Sequence, residues 1–293
     1  MLVSVIVPTR HRPGPLARAL KSLDAQILPL DVAMEVIVVD NSQRGEIAGA
    51  VHEPRAGVAR ARNAGLARAR GRWIAFLDDD EEASPGWLAG LLCVAHRTGA
   101  DAVFGPVTAR AESGEIGPFA RYFSRALPLD DGADVTALSA YLGTNNSLFR
   151  ASLLEGGATF DIALDSTGGE DSLLLERLRR RGARFAYAAS APVIEWTSAQ
   201  RLTWAYVGRR KFASGQIRVL VQAKAAPRRP ERIAFWMAAG AAQAIGAGAA
   251  ALALAPFSRE RALRGRAAAL GGLGKLFWAR GLRPALYGEG HVA

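Results

Sequence analysis

Residues 72–82 read RWIAFLDDDEE, an apolar run that ends in five consecutive acids. Apolar residues without polar alternation predict a strand over 72–78 that is buried on both faces, as in a parallel sheet under helices. The flanking sequence repeats the theme. VSVIVP (3–8) and EVIVVD (35–40) are further strands, and ADAVFGPV (100–107) is a fourth. PLARALKSLDAQ (15–26) and VARARNAGLARAR (58–70) space their apolar residues by three and four, as helices do. PGWLAGLLCVAHRTG (85–99) is a third helix, with Ser84 as N-cap, Pro85 at the first position and Gly99 closing it. This alternation is that of an α/β fold, a mostly parallel sheet between helices. Ligands bind such sheets beyond the carboxyl ends of the strands. Three polar clusters fall there: Pro8-Thr9-Arg10-His11-Arg12, Asp40-Asn41-Ser42, and Asp78 to Glu82.

Half of the 293 residues are apolar and 22% are charged, a balance that supports a buried core and excludes wholesale disorder. The single cysteine, Cys93, lies in the apolar WLAGLLCVAH and is expected in the core; a disulfide framework is impossible. The opening apolar run is too short for a signal peptide and is ended by Pro8, so it reads as a first strand. The net charge of +10 is uneven. From Lys224 to the end there are 11 Lys or Arg against 3 Asp or Glu, a local +8. Such asymmetry implies an anionic partner. There is no nucleic-acid motif, and an apolar segment inside the basic tail favours a membrane surface.

Residues 108–165 are less regular, and EDSLLLERLRRRG (170–182) is a clear helix. KAAPRRPER (224–232) is basic and broken by two prolines, which reads as a linker between a catalytic domain, 1–223, and a helical region, 233–293. Residues 233–255 carry no charge over 23 positions, enough to span a bilayer core, although Ala, Gly and Gln243 keep the apolarity low. Residues 259–283 place Arg259, Arg261, Arg264, Arg266, Lys275, Arg280 and Arg283 among Leu, Phe and Trp, as an interfacial helix would. Basic flanks on both sides of 233–255 argue against a simple span. An Ala-rich helix packed on a soluble domain fits the same residues.

Five adjacent acids repel one another unless a cation or water screens them. Hard divalent cations take oxygen ligands, and Mg²⁺ commonly uses one or two carboxylates together with substrate phosphates. A cation there would neutralise charge on a departing diphosphate. Read alone, the run also fits a solvated turn in which Asp80 or Ser84 caps the next helix. Gly168-Gly169-Glu170-Asp171 likewise admits two readings. It is a turn with acids suited to a helix N-terminus, or it brings a general base to face a sugar's reactive carbon.

VSVIVPTRHRP, VIVVDNS, GVARARNAGLARARGRWIAFLDDDE and GTNNSLFR…FD…GGEDSLLLERLRRRGARFAY, in this order, resemble family 2 glycosyltransferases of the GT-A (nucleotide-diphospho-sugar transferase) fold. The likeness is to the ExoM-like exopolysaccharide branch, with Ala191, Val193, Glu195 and Arg201 and then Arg210-Lys211-Phe212-Ala213-Ser214-Gly215 in the matching places. It covers about residues 2–220. The resemblance implies inverting transfer of a hexose-type sugar from a nucleotide-diphospho-sugar donor to a lipid-linked or saccharide acceptor in cell-surface polysaccharide biosynthesis. It also implies a Mg²⁺ or Mn²⁺ cofactor and, with the basic tail, a place at the cytoplasmic face of the cell membrane, in a bacterium the inner membrane.

Residue by residue, the resemblance puts a Pro8-Thr9 turn and Arg12 at the nucleotide, and Asp40 on base or ribose. Arg62 and Asn63 fall near the diphosphate or brace the base pocket. Asp78 holds ribose or sugar, Asp79 is a further donor-binding residue, and Asp80 holds the metal. Glu170 and Asp171 form the catalytic pair, with Asp171 the general base. Thr144 and Asn145 line the sugar or acceptor side. Glu195 stands where many members of the family have a histidine; it is a further ligand or positions Arg201. Trp196 stacks on a sugar or belongs to the core. Two other readings compete. A nucleotidyltransferase on a similar sheet would need a Gly-rich phosphate loop after the first strand, and PTRHRPG lacks that glycine spacing. A catalytically inactive nucleotide-sugar-binding scaffold would not need acids at 78, 80, 170 and 171.

Overall fold

The structure, a computed structural model, describes residues 1–155 and 159–279. In chain order the elements are β1 (Leu2–Thr9), α1 (Pro13–Asp24), β2 (Ala33–Asp40), β3 (Val51–His52), α2 (Val58–Leu66), β4 (Trp73–Leu77), β5 (Glu81–Ala83) and α3 (Trp87–Thr98). There follow β6 (Ala102–Phe104), β7 (Val107–Ala111), α4 (Ala120–Phe123), β8 (Asn146–Arg150), α5 (Glu170–Arg180), β9 (Phe185–Tyr187) and β10 (Val193–Thr197). Three long helices close the described chain: α6 (Trp204–Lys224), α7 (Pro230–Leu254) and α8 (Arg259–Leu276).

Seven strands form one sheet in the order β3-β2-β1-β4-β8-β6-β9. Only β8 runs antiparallel to its neighbours, β4 and β6. The two-residue period of a strand distributes the core. Val3, Val5 and Val7 of β1 and Trp73, Ala75 and Leu77 of β4 join the layer built on α1 and α3. Ile6, Ile74 and Phe76 enter the opposite layer with α2, α5, Phe149 and Phe160. A sheet covered on both faces by helices is what the unbroken apolar strands predict.

The sequence reading needs four local corrections. The strand expected over 100–107 is two, β6 and β7, because Pro106 has no N–H to give a ladder and Gly105 turns the chain. The acidic run is no solvated turn: Glu81–Ala83 form β5, which pairs antiparallel with β10 in a second sheet of order β5-β10-β7. Ser84 does not cap the third helix. The backbone at Gly86 starts α3 without a side-chain cap, while Gly99 closes it in the left-handed conformation (φ 64°) as expected. Cys93 is exposed on α3 rather than in the core, since Leu88, Leu91, Leu92, Val94 and Ala95 take the buried positions.

The chain divides into two compact units, one of Met1–Asp165 with Glu170–Thr197, the other of Ser166–Gly169 with the chain from Ser198 onward. The boundary therefore falls well before the expected 223/224. The reason is packing: α6 packs against α8 and α7 within the second unit. Small residues let these backbones approach, as Gly215 does against the Gly271 carbonyl and Gly274 against the Phe212 carbonyl. The proline-broken connection is short, between Lys224 and Pro230. Among the described residues, α7 is the helix long and apolar enough to cross a membrane by length and composition, with a mean hydropathy of 1.5 and 6% of its apolar window buried. Arg280 and Arg283 of the expected amphipathic stretch lie outside the described residues.

Candidate active site

The first unit gathers its acids at the carboxyl ends of β1, β2 and β4. β1 runs through Pro8 and Thr9 beside Val39 and Asp40, so these two are strand residues and not the expected turn. The chain turns at His11, which adopts a left-handed backbone (φ 53°), and Arg12 then swings back over the sheet edge. Its Nη1 donates to Asp79 Oδ1 at 2.7 Å and its Nη2 to Asp80 Oδ2 at 3.0 Å. Thr9 Oγ1 donates to Asp79 Oδ2 at 2.7 Å. Asp79 is buried, and burial pushes its carboxyl up to about 7; Arg12 opposes that rise, Asp80 adds to it and Thr9 opposes it.

A second guanidinium links two motifs that are far apart in the chain. Arg62, buried on α2, donates from Nη2 to Asp78 Oδ1 at 3.0 Å and from Nη1 to Glu170 Oε1 at 2.8 Å. Burial alone would lower its pKa, but Asp78, Glu170 and Asp171 together raise it above the ordinary arginine value. Glu170 is buried and pushed up to about 7, first by burial and then by Asp171, with Arg62 opposing. The two members of the expected catalytic pair thus differ. Glu170 is engaged by Arg62 and acts as a brace. Asp171 is half-buried, and its Oδ1 accepts the Ser172 amide at 2.6 Å. A Cβ added at Gly143 would lie 3.5 Å from Asp171 Oδ2, so a bare backbone borders the second oxygen.

Behind the acidic loop a third layer of polar contacts joins β5 to residues 143–146. Glu81 is buried; its Oε2 accepts the Asp78 amide at 3.0 Å and its Oε1 accepts a short bond from Asn145 Nδ2. Asn145 Oδ1 in turn accepts from Arg125 Nη2. Glu195 is buried and stands opposite Glu81 in the β5–β10 ladder. Burial, then Asp78, Glu195 and Asp80, push the Glu81 carboxyl well above its ordinary value. Glu81 and Arg125 were not foreseen. Glu81 reads as one acid among five, and its burial follows only from the pairing of β5 with β10. Arg125 sits in an irregular stretch with no motif around it.

Several expected contacts are corrected by the geometry. Asp40 is buried, and its carboxylate accepts the backbone amides of Ser42 (2.8 Å), Ile47 (3.0 Å) and Glu46, so it shapes the loop after β2 instead of facing base or ribose. These amides hold its carboxyl below the ordinary value although burial alone would raise it. Both amide atoms of Asn63 are spent on the Phe160 backbone, at 2.9 and 3.0 Å, which makes Asn63 a brace for that loop. Thr144 is fully buried and lines no surface; Asn145 beside it does reach a cleft. Trp196 is half-buried, with the Arg18 guanidinium 5.8 Å from its ring centre. Arg201 belongs to the second unit, where its guanidinium lies 5.8 Å from the Tyr206 ring.

An unforeseen residue also positions Arg62. Asp165 Oδ1 accepts the amides of Ala59 (2.8 Å) and Arg60 (3.3 Å), and Asp165 Oδ2 pairs with Arg60 Nε at 3.1 Å. The carboxylate thereby caps α2, which has no capping side chain of its own at Gly57. Gly57 (φ 152°) must stay bare, because a Cβ there would sit 2.1 Å from Asp165 Cγ.

The chemistry of the cluster suits a hard cation. Asp78 and Asp80 act on both Asp79 and Glu81, Glu195 acts on Glu81, and Arg12 and Arg62 donate to the cluster. Among the described residues, no three His, Cys, Asp or Glu side chains converge into a ready-made cage. The residues present fit a cation whose remaining ligands come from phosphate oxygens and water.

Comparison with known proteins agrees with this arrangement. The sequence model described as Glycosyl transferase family 2 matches residues 4–154. The chain is 35% identical over 236 residues to the succinoglycan biosynthesis protein ExoM of Rhizobium meliloti (strain 1021), covering 73% of each chain. Among solved structures, the mannosyltransferase PcManGT from Pyrobaculum calidifontis, in complex with GDP-Man and Mn²⁺, is similar with a TM-score of 0.61 at 20% identity, over 95% of this chain and 87% of that one. S. aureus TarS 1-349 in complex with UDP-GlcNAc gives a TM-score of 0.54 at 17% identity, over 80% of this chain and 70% of that one. These two likenesses concern the GT-A fold. An acidic strand end tied by one arginine to a second acidic helix start, on this sheet and with these relatives, places the chain in glycosyl transferase family 2, a family of sugar transferases.

Proposed function

We propose that the protein is an inverting glycosyltransferase that moves a hexose-type sugar from a nucleoside-diphosphate donor onto a lipid-linked or polysaccharide acceptor in exopolysaccharide biosynthesis. The observation that carries this reading is the Arg62 bridge between Asp78 and Glu170, which joins the donor-side acids to the start of α5 across the span of one guanidinium. Arg12 and Thr9 orient Asp79, and Arg12 also steadies Asp80. Asp80 is the site for Mg²⁺ or Mn²⁺, which when bound would neutralise charge on the leaving nucleoside diphosphate, and Asp78 belongs to the donor side.

Asp171 is the general base. It takes the proton of the acceptor hydroxyl, whose oxygen attacks the anomeric carbon opposite the diphosphate. Glu170 cannot share that role while bonded to Arg62; it keeps the guanidinium in place. The ExoM relationship and the Mn²⁺ and nucleotide-sugar complexes of the structural relatives support donor class and metal. The exposed apolar face of α7, with basic residues at both of its ends, supports a place on the cytoplasmic membrane surface.

A thermal-shift screen of UDP-, GDP- and dTDP-sugars with Mn²⁺ identifies the donor, and chromatography of the reaction identifies the product. Release of a nucleoside diphosphate is expected; release of pyrophosphate would make the enzyme a nucleotidyltransferase. Chelation with EDTA is expected to abolish transfer and added Mn²⁺ to restore it. Full activity in EDTA would remove the metal from the reading.

A further inference from the structure

The cleft beside Gly143 has a charge pattern that the donor chemistry does not use. It is open to solvent and is lined by Arg125, Leu127, Tyr141, Asn145 and Tyr187 among others. Its enclosed part is only water-sized, so a saccharide would lie across the open mouth. Every other lining residue is uncharged, so the wall of this cleft is positive although acids crowd the neighbouring loop. Arg125 is rigidly presented. Its backbone exchanges hydrogen bonds with Val107 at the edge of β7, at 2.8 and 2.9 Å. Its side chain donates to Asn145 Oδ1, a neutral acceptor, and among the described residues it has no carboxylate partner.

Gly143, in the cleft wall, also borders the proposed base. The point 3.5 Å from Asp171 Oδ2 where a Gly143 Cβ would sit is 3.6 Å from Arg125 Cζ and 2.8 Å from Asn145 Oδ1. A molecule that delivers a hydroxyl to Asp171 past Gly143 would lie within reach of Arg125. A half-buried guanidinium with one neutral partner is poorly compensated, and an incoming oxyanion would complete it through charge-assisted hydrogen bonds. Tyr141, 58% exposed, lines the same cleft.

Resting on the transferase reading above, we propose that this cleft is the acceptor subsite, that it takes a saccharide carrying an oxyanion, and that Arg125 is the residue that reads the charge. The oxyanion is either a carboxylate on the sugar or a phosphate that links it to a carrier. Arg125 at the same time holds Asn145 against Glu81, so acceptor binding is wired to the loop that bears Asp78.

The test titrates full-length protein, saturated with its nucleotide and Mn²⁺, with methyl β-glucuronide, glucose 1-phosphate and neutral methyl β-glucoside, followed by NMR line broadening of the glycosides. One or both anionic probes should bind about tenfold or more tightly than the glucoside, as a charge-assisted bond implies. Arg125→Gln should abolish the difference, Arg125→Lys should keep part of it, and Tyr141→Ala should weaken all three probes alike. Preference for the glucuronide alone marks a sugar carboxylate, and for the phosphate alone a carrier phosphate. Equal binding of all three probes, or a preference that survives in Arg125→Gln, overturns the proposal. Nucleotide affinity, measured in a separate titration without glycosides, separates the two levels. Intact nucleotide binding without anion preference removes only the subsite, whereas failure of any nucleotide to bind removes the transferase reading itself.

Discussion

Asp171 and Glu170 are adjacent in the chain, yet one borders the bare backbone of Gly143 and the other faces an arginine. If Asp171 is the base, Asp171→Asn lowers the transfer rate about 10²–10⁴-fold while the nucleotide dissociation constant stays the same. A parallel loss of nucleotide affinity, seen by titration calorimetry, would move Asp171 to the donor side. Glu170 has a different signature. The fold holds it protonated up to about 7, against an ordinary value of 4.5, and Asp79 is raised in the same way. The unfolded chain releases these protons at lower pH, so stability declines as pH rises from about 4.5 through about 7. Asp40, Glu35 and Glu53, held below their ordinary values, act below that window. Thermal melts should therefore show a falling midpoint between pH 5 and 8, with a shallower slope in Glu170→Gln. An unchanged slope in that variant would mean that Glu170 is ionised in the fold.

Among the elements, α2 matters out of proportion to its length. It has nine residues, no capping side chain at Gly57, and Arg62 near its middle. Asp165 supplies the cap from the far end of the unit's long irregular region. Asp165→Ala should destabilise the protein by about 1–2 kcal/mol, the usual effect of losing a cap. It should also raise the KM for the donor, because Arg62 then loses its fixed seat between Asp78 and Glu170. Denaturant melts and donor titrations check the two effects separately; a stability loss with unchanged KM would confine Asp165 to the helix.

At the scale of the whole chain, the second unit presents apolar surface that folding has not covered. Phe235, Ile245, Leu252 and Phe257 are all more than half exposed. Polar groups between α7 and α8 are meanwhile satisfied internally: Lys275 Nζ donates to Gln243 Oε1 at 2.7 Å, and Gln243 Nε2 to the Ala268 carbonyl at 2.7 Å. If this face lies against lipid, Ile245→Asp combined with Leu252→Asp should release the protein from anionic vesicles in a sedimentation assay and leave donor binding intact. Continued sedimentation would place the membrane contact elsewhere.

The sequence by itself determined the α/β class, the family and the identity of the acidic clusters, because strand periodicity, turn residues and runs of charge are local properties. Tertiary structure alone decided which acids are brothers in arms and which are braces. DDDEE does not say that Glu81 is buried opposite Glu195, since that depends on a strand more than a hundred residues later. Asp40 and Asn63 look like ligands until the loops that absorb their hydrogen bonds are in place. Arg125, Asp165 and the unit boundary at Thr197 depend in the same way on contacts between distant residues, and no short motif encodes those.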